Sequence, residues 1–106
     1  MPQKKYKIEY LPIANRDLAD IFAYITVESA APQAAANLLE KIKHAAKSLE
    51  IFPYAHSVYQ SAYLRAEPFE FRALIVDSYL VFYYVTENIV TIARVVYGRR
   101  DTRNIL

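Results

Sequence analysis

The sequence predicts an α+β fold in which a helical hairpin packs on one face of a twisted, mainly antiparallel sheet, with the element order β-α-α-β-β-β. Three observations support this prediction. A short segment near the start alternates apolar and charged residues, the rest of the first half carries apolar residues at intervals of three and four, and the last third is rich in β-branched and aromatic residues. Helices and strands are therefore separated along the chain, as in α+β folds.

The first two elements are a strand and a helix. Apolar and charged side chains alternate over residues 6–10, which is typical of a strand with one buried face. Pro12 follows, and proline is well suited to the first turn of a helix because its missing N–H is not needed there. A stripe of apolar residues then predicts a helix to about Val27: Ile13, Ala14, Leu18, Ile21, Phe22 and Ile25.

A second helix is predicted from Pro32 to near Ile51. Its apolar stripe is continuous: Ala35, Leu38, Leu39, Ile42, Ala46 and Leu49. Pro53 ends the helix, because proline disfavours helical geometry in the residue before it. Only a short turn separates the two helices, so they are expected to form an antiparallel hairpin.

Residues 54–67 show no clear period and are interpreted as a surface loop. Three strands are predicted after it, over residues 69–76, 79–85 and 89–97, with turns at Asp77-Ser78 and at residues 86–88. Strict alternation in the last strand predicts that Val90, Ile92, Arg94 and Val96 share one face. The sheet face away from the helices is expected to be open.

Composition restricts the classes of function. The 106 residues predict a single domain, 1–106, and a hydrophobic fraction of 55% favours a folded chain. The absence of cysteine excludes disulfides and thiolate catalysis, and suits the cytoplasm. No apolar run approaches the ~20 residues that cross a bilayer, so no membrane association is expected. One glycine cannot support most phosphate-cradling loops, and no metal or other cofactor is predicted.

Basic residues concentrate at the C-terminal end, although the net charge is only +2. The cluster contains Arg94, Arg99, Arg100 and Arg103, and Tyr97 stands among them. Guanidinium groups match phosphate oxygens, and aromatic rings stack on bases, so this pattern favours target or nucleic-acid binding. A solvated tail is the alternative interpretation, and it stays open on the sequence alone.

Arg72 lies in an otherwise apolar strand, where an isolated guanidinium would be costly to bury. It is expected either to emerge on the open face as a binding residue or to form an ion pair with Glu70, Glu67 or an acid of a helix. The two histidines, His44 and His56, have no partner at a catalytic spacing and are interpreted as surface residues.

Motifs along nearly the whole chain resemble the RelE/ParE superfamily of toxins from type II toxin-antitoxin systems, a group that includes plasmid stabilisation proteins. In the first helix, an alanine is followed by Asp17-Leu18, an isoleucine and Tyr24-Ile25. Further motifs are Leu49-x-x-Phe52-Pro53, Phe71-Arg72-Ala73-Leu74, Tyr79-x-x-x-Tyr83 and Tyr97-Gly98-Arg99-Arg100-Asp101. The order and spacing of these motifs agree with the predicted elements.

The resemblance implies a growth-inhibiting toxin that a cognate antitoxin neutralises in a toxin-antitoxin hetero-oligomer. Its expected target is DNA gyrase, for a member similar to ParE, or messenger RNA on the ribosome, for a member similar to RelE. RNA cleavage would use Arg72, Arg94, Tyr97 and Arg100, and target binding would use Arg72, Arg94, Arg99, Arg100 and Arg103. A partner-binding module without toxicity is the third possibility.

The sequence favours gyrase inhibition over ribosome-dependent RNA cleavage. In the cleaving branch an arginine usually follows the first tyrosine of the penultimate strand, whereas this chain has Leu80. Only Arg72 is basic between residues 69 and 76, and Tyr97 stands where several relatives have histidine. General acid-base chemistry on RNA needs such groups, so their loss argues against an endoribonuclease.

Overall fold

The computed structural model describes residues 5–58 and 69–98 and confirms the predicted fold class and element order. Within these residues, two α-helices and four strands form, with a short 3-10 turn at Ser48–Glu50 after the second helix. Their bounds are β1 Lys7–Tyr10, α1 Pro12–Ser29, α2 Pro32–Lys47, β2 Arg72–Val76, β3 Tyr79–Thr86 and β4 Ile89–Tyr97.

The sheet has the strand order β1-β4-β3-β2. The last three strands form an antiparallel meander, and β1 pairs in parallel with the first half of β4, so that Lys7 lies opposite Ile89 and Tyr10 opposite Ile92. Tight turns join the meander, and their first residues, Asp77 and Glu87, take positive φ angles of 52° and 50°. Beyond Ile92, β1 no longer covers the edge of β4.

The helical hairpin forms as predicted, with small differences at its ends. Pro12 and Pro32 occupy the first turns of their helices, and Ala30 reverses the chain between them with a left-handed φ of 46°. The α-helical part of α2 ends at Lys47, earlier than predicted, and the 3-10 turn continues to Glu50. No helix within residues 5–58 or 69–98 is both long and apolar enough to cross a membrane.

The main core lies between the hairpin and the sheet. Helical residues such as Leu18, Ile42 and Leu49 pack there against strand residues such as Val81 and Ile92, all of them almost fully buried. Burial of such side chains stabilises the fold by about 2 kcal/mol each. The apolar stripes predicted on both helices therefore serve mainly as core.

The sheet face away from the helices is not the open face that the sequence predicted. A second apolar cluster lies in this part of the structure, with Phe71, Phe82, Ala93 and Val96 all buried. The ring of Tyr84 stacks on Phe69 at 4.0 Å and meets Phe71 edge-on at 5.6 Å. Part of this face is therefore buried, which the strand pattern alone could not show.

The predicted alternation of β4 is also wrong in its second half. Tyr83 pairs with Ile92 but the adjacent Phe82 pairs with Arg94, so one extra residue, Ala93, is accommodated in β4 as a bulge. The bulge shifts the alternation by one residue. Val95 consequently joins Ile92 in the main core, whereas Val96 joins the second cluster.

Asp17 of α1 contacts the second half of β4, whose edge is not paired with β1. Its carboxylate accepts hydrogen bonds from Arg94 Nε at 2.7 Å and Arg94 Nη2 at 2.9 Å, and from the backbone N–H of Val95 at 2.9 Å. The two side chains are only 12% and 16% exposed. Because β1 ends before Val95, the carboxylate takes the place of a neighbouring strand for this N–H.

Tyr83 of β3 connects the sheet to the chain that follows the hairpin. Its ring is fully buried, and its hydroxyl donates a 2.9 Å hydrogen bond to the backbone oxygen of Pro53. Burial raises the pKa of Tyr83, against opposing contributions from Arg72 and a backbone hydrogen bond at His56. The phenol is therefore protonated over the whole neutral range.

Asp17→Asn is expected to lower the free energy of unfolding by about 3 kcal/mol, because it removes the carboxylate that pairs with the largely buried Arg94 guanidinium. Urea denaturation measures the difference. Asp20→Asn, on the exposed side of the same helix, is the matched control and should change stability little. Equal losses in the two variants would contradict a structural role for the Asp17 contacts.

Tyr83→Phe is expected to cost about 1–2 kcal/mol at neutral pH, because the Pro53 oxygen loses a buried donor. The pKa of the Tyr83 phenol is higher in the folded state than in the unfolded state. The unfolded state therefore loses its proton first, and stability falls as pH rises above the ordinary tyrosine value of 10.0. The variant removes one such group, and its stability should decline less steeply above pH 10. Denaturation at a series of alkaline pH values tests this, and an unchanged slope would contradict it.

Candidate functional site

Arg72 is held by three neighbouring groups. It donates from Nη1 to the backbone oxygen of His56 at 2.7 Å and from Nη2 to Glu70 Oε1 at 3.2 Å, and it lies 5.0 Å from the centre of the Tyr54 ring. The side chain is 17% exposed. Glu70, one of the partners considered from the sequence, is observed in contact with it, whereas Glu67 lies outside the described residues. The guanidinium stabilises the segment beside β2, and little of it faces solvent.

Arg94 is likewise engaged within the fold. Both of its donors described above point to Asp17 of α1, in the two-pronged geometry that arginine forms with carboxylates. An arginine in this position cannot offer the same donors to a phosphate without breaking the contact between helix and sheet. The sequence suggested a phosphate-binding arginine here and missed its acidic partner.

Tyr97 lies at the end of β4, opposite Tyr79 at the start of β3. The two rings meet at 5.6 Å with an interplanar angle of 73°. Gly98 follows, donating from its N–H to the Ser78 oxygen at 2.7 Å, and a Cβ at this glycine would lie only 3.0 Å from that oxygen. The close approach explains why glycine is suited to the position after Tyr97.

These tyrosines border a hollow of about 760 Å³ between α1 and the end of the sheet. Its walls contain Asp17, Asp20, Ile21, Tyr24, Tyr79, Val95, Val96 and Tyr97. Burial raises the pKa of Tyr79, with further contributions from nearby Tyr97 and Tyr24. The described part of this lining is therefore mainly aromatic, with Asp20 as its unpaired carboxylate, and it includes neither Arg72 nor Arg94.

Of the candidate residues that the structure describes, Tyr97 lines this hollow, whereas Arg72 and Arg94 do not. Arg72 pairs with Tyr83 from one side of β3, and Arg94 pairs with Phe82 from the other side. Their side chains run apart, one to the segment beside β2 and the other to α1. Tyr97 of β4 pairs with Tyr79, which lies four residues before Tyr83 on β3, roughly 13 Å away.

Arg99, Arg100 and Arg103, the remaining predicted site residues, lie outside the described residues. Their assignment to target binding, and that of Arg100 to catalysis, stays a prediction. Within residues 5–58 and 69–98, no three His, Asp or Glu side chains come together as metal ligands would.

Comparison with known proteins identifies the family. A family model described as the ParE toxin of the type II toxin-antitoxin system, parDE, matches residues 8–102. No curated protein matches the sequence. The fold is similar to that of a solved chain from the chromosomal ParDE toxin-antitoxin system of P. aeruginosa, with a TM-score of 0.71 and 16% identity over 90% of this chain and 98% of that chain.

The family match covers almost all of the chain and agrees with the motifs and the fold described above. It confirms the resemblance drawn from the sequence. This chain belongs to the ParE toxin family of type II toxin-antitoxin systems, within the RelE/ParE superfamily.

Proposed function

We propose that the protein is a cytoplasmic toxin that inhibits growth by binding DNA gyrase, and that a cognate antitoxin neutralises it. The observation that carries the choice of target is the engagement of both described candidate arginines inside the fold. Arg94 is bound to Asp17, and Arg72 to Glu70 and His56. A toxin that cuts RNA needs basic groups directed at the phosphate, whereas a binding toxin does not.

The position of Leu80 supports the same choice. This residue stands where the RNA-cleaving branch usually has arginine, and its side chain packs on the second apolar cluster with Phe82 and Val96. An apolar side chain in that place cannot stabilise a developing negative charge. The replacement of the branch's arginine by Leu80 is therefore accompanied by apolar packing on β3.

RNA cleavage also requires a group that transfers protons at neutral pH, and the described residues near Tyr97 supply no good candidate. A phenol is a weak base at neutral pH, because its ordinary pKa is near 10. Tyr97 has Tyr79 as its ring neighbour, and no histidine lies in the walls of the hollow beside it. His56, the histidine in the loop, contacts the ring of Tyr83 instead.

An antitoxin partner is supported by the family and by exposed apolar side chains at the hollow. Tyr24 is 64% exposed and Tyr97 41% exposed, and Val27, one helical turn beyond Tyr24, is 77% exposed. Large apolar groups grouped on one surface usually mark a partner interface. The similar P. aeruginosa chain comes from a ParDE toxin-antitoxin system, which agrees with such a partner.

Purified protein added to gyrase, relaxed plasmid and ATP is expected to inhibit supercoiling, because the proposed toxin acts by binding the enzyme. Pre-incubation with the cognate antitoxin should restore supercoiling. Heat-denatured protein is the control for nonspecific inhibition.

Supercoiling that is unaffected by excess toxin would contradict the gyrase proposal. Primer extension on a translated message, run in parallel, distinguishes the runner-up, since new 5′ ends would indicate ribosome-dependent RNA cleavage. Induction of the chain without its antitoxin identifies the third possibility, because normal growth would show a module without toxicity.

A further inference from the structure

Three phenol rings line the hollow between α1 and the end of the sheet, which is named the aromatic hollow for them. Tyr24 comes from α1, Tyr79 from the start of β3 and Tyr97 from the end of β4. Tyr24 and Tyr97 are both exposed. Within the described part of the chain, no other ring packs against Tyr24, so ring surface is accessible to a ligand.

Two carboxylates also line the aromatic hollow, and only one of them is paired. Asp17 is bound to Arg94, whose guanidinium offsets its charge. Asp20, about one helical turn further along α1, has no ion-pair partner among the described residues. Arg16 lies one turn before Asp20, yet it forms no ion pair with Asp20 and is not part of the walls. The described lining therefore carries one uncompensated negative charge.

The rings and the free carboxylate attract the same kind of ligand. The face of a phenol ring carries a negative partial charge and attracts a cation within about 6 Å of the ring centre. Tyr79 and Tyr97 meet at 73°, so their surfaces face in different directions, and Asp20 adds a full negative charge beside them. A guanidinium satisfies both features, because it is planar, stacks on aromatic rings and donates two hydrogen bonds to a carboxylate.

Other classes of ligand fit these walls less well. A phosphate would be repelled by Asp20, and the described lining contains no lysine or arginine that could offset its charge. A purely apolar segment would cover the Asp20 carboxylate without giving it a partner, which is costly. A cation is therefore the ligand that the described residues favour.

The surroundings of the aromatic hollow indicate that the cation belongs to a polypeptide. Ile21 contributes apolar surface to the walls, and Val27 lies exposed one turn beyond Tyr24 on the same helix. This apolar surface extends further along α1 than a guanidinium group alone could cover. The alkyl stem of an arginine and the apolar residues beside it in a chain would cover the remainder.

We propose that the aromatic hollow binds an arginine side chain of a partner polypeptide, with its guanidinium stacked on the exposed tyrosine rings and paired with Asp20. The proposal goes beyond gyrase inhibition, because it concerns the ligand chemistry of one hollow. Peptide binding is measured without gyrase, so the failure of either proposal is distinguishable from the failure of the other.

Fluorescence anisotropy with the full purified chain tests this proposal. The probe is a short labelled peptide with one arginine flanked by leucines, and the matched peptide has citrulline, which keeps the shape of arginine without its charge. We expect the arginine peptide to bind more tightly than the citrulline peptide, and to bind more weakly as salt is raised. Asp20→Asn and Tyr24→Leu should each lower its affinity about threefold, because one charge contact or one ring is removed.

Glu40→Gln is the matched control for the loss of an acidic residue. Glu40 is exposed on α2, and no residue of α2 is among the described walls, so its loss should leave peptide affinity unchanged. Equal binding of the citrulline peptide would overturn the proposal, as would an equal loss of affinity in Glu40→Gln and Asp20→Asn.

Two further measurements separate the partner polypeptide from other sources of the cation. Agmatine, a free guanidinium compound, should bind much more weakly than the peptide, and equal affinity would overturn the proposal in favour of a small organic cation. Arg99→Gln/Arg100→Gln/Arg103→Gln in the full chain should leave peptide affinity unchanged. Tighter peptide binding in this variant, abolished by adding Asp20→Asn, would overturn the proposal in favour of the chain's own arginines.

Discussion

The carboxylate of Asp17 accepts two hydrogen bonds from the Arg94 guanidinium and one from the Val95 N–H, and the seating of the helical hairpin on the sheet depends on this contact. β1 covers only the first half of β4, so the second half would otherwise present an unpaired edge next to α1. The Asp17 carboxylate accepts a hydrogen bond from the Val95 N–H on that edge, and it also links α1 to β4 through Arg94. The walls of the aromatic hollow follow from this placement, because they are built from these same two elements.

Structural contacts fix the orientation of both candidate arginines that the structure describes. A guanidinium that compensates a half-buried carboxylate is fixed in orientation, and withdrawing it would leave a charge without a partner. Arg72 is restrained in a similar way by Glu70, the His56 oxygen and the Tyr54 ring. The described part of the sheet therefore presents aromatic and apolar groups to a partner more readily than it presents cations, which favours inhibition by binding.

Two of the concave surfaces formed by the described residues differ in charge. The hollow near Tyr97 is lined by phenols and Asp20, with Asp17 already paired to Arg94. A second hollow is lined by Lys7, Lys43 and Lys47 together with an isoleucine and a half-buried phenol. A partner that engaged both would need different side chains at two places along its own chain. Contacts of this kind raise specificity, because a segment with the wrong charge at either place is rejected.

Local periodicity was sufficient to predict the elements and their order, and the predicted bounds of β4 agree with the structure. Periodicity reports which residues face a core, and it depends only on near neighbours in the chain. The motifs indicated the family for the same reason, since they recur at fixed spacings. What the tertiary structure decided is the partner of Arg94, 77 residues away in sequence, the bulge at Ala93 that reverses the faces of β4, and the meeting of Lys7 with Lys43 and Lys47. Each of these depends on how α1, α2 and the strands are seated against one another, and no local pattern encodes that seating.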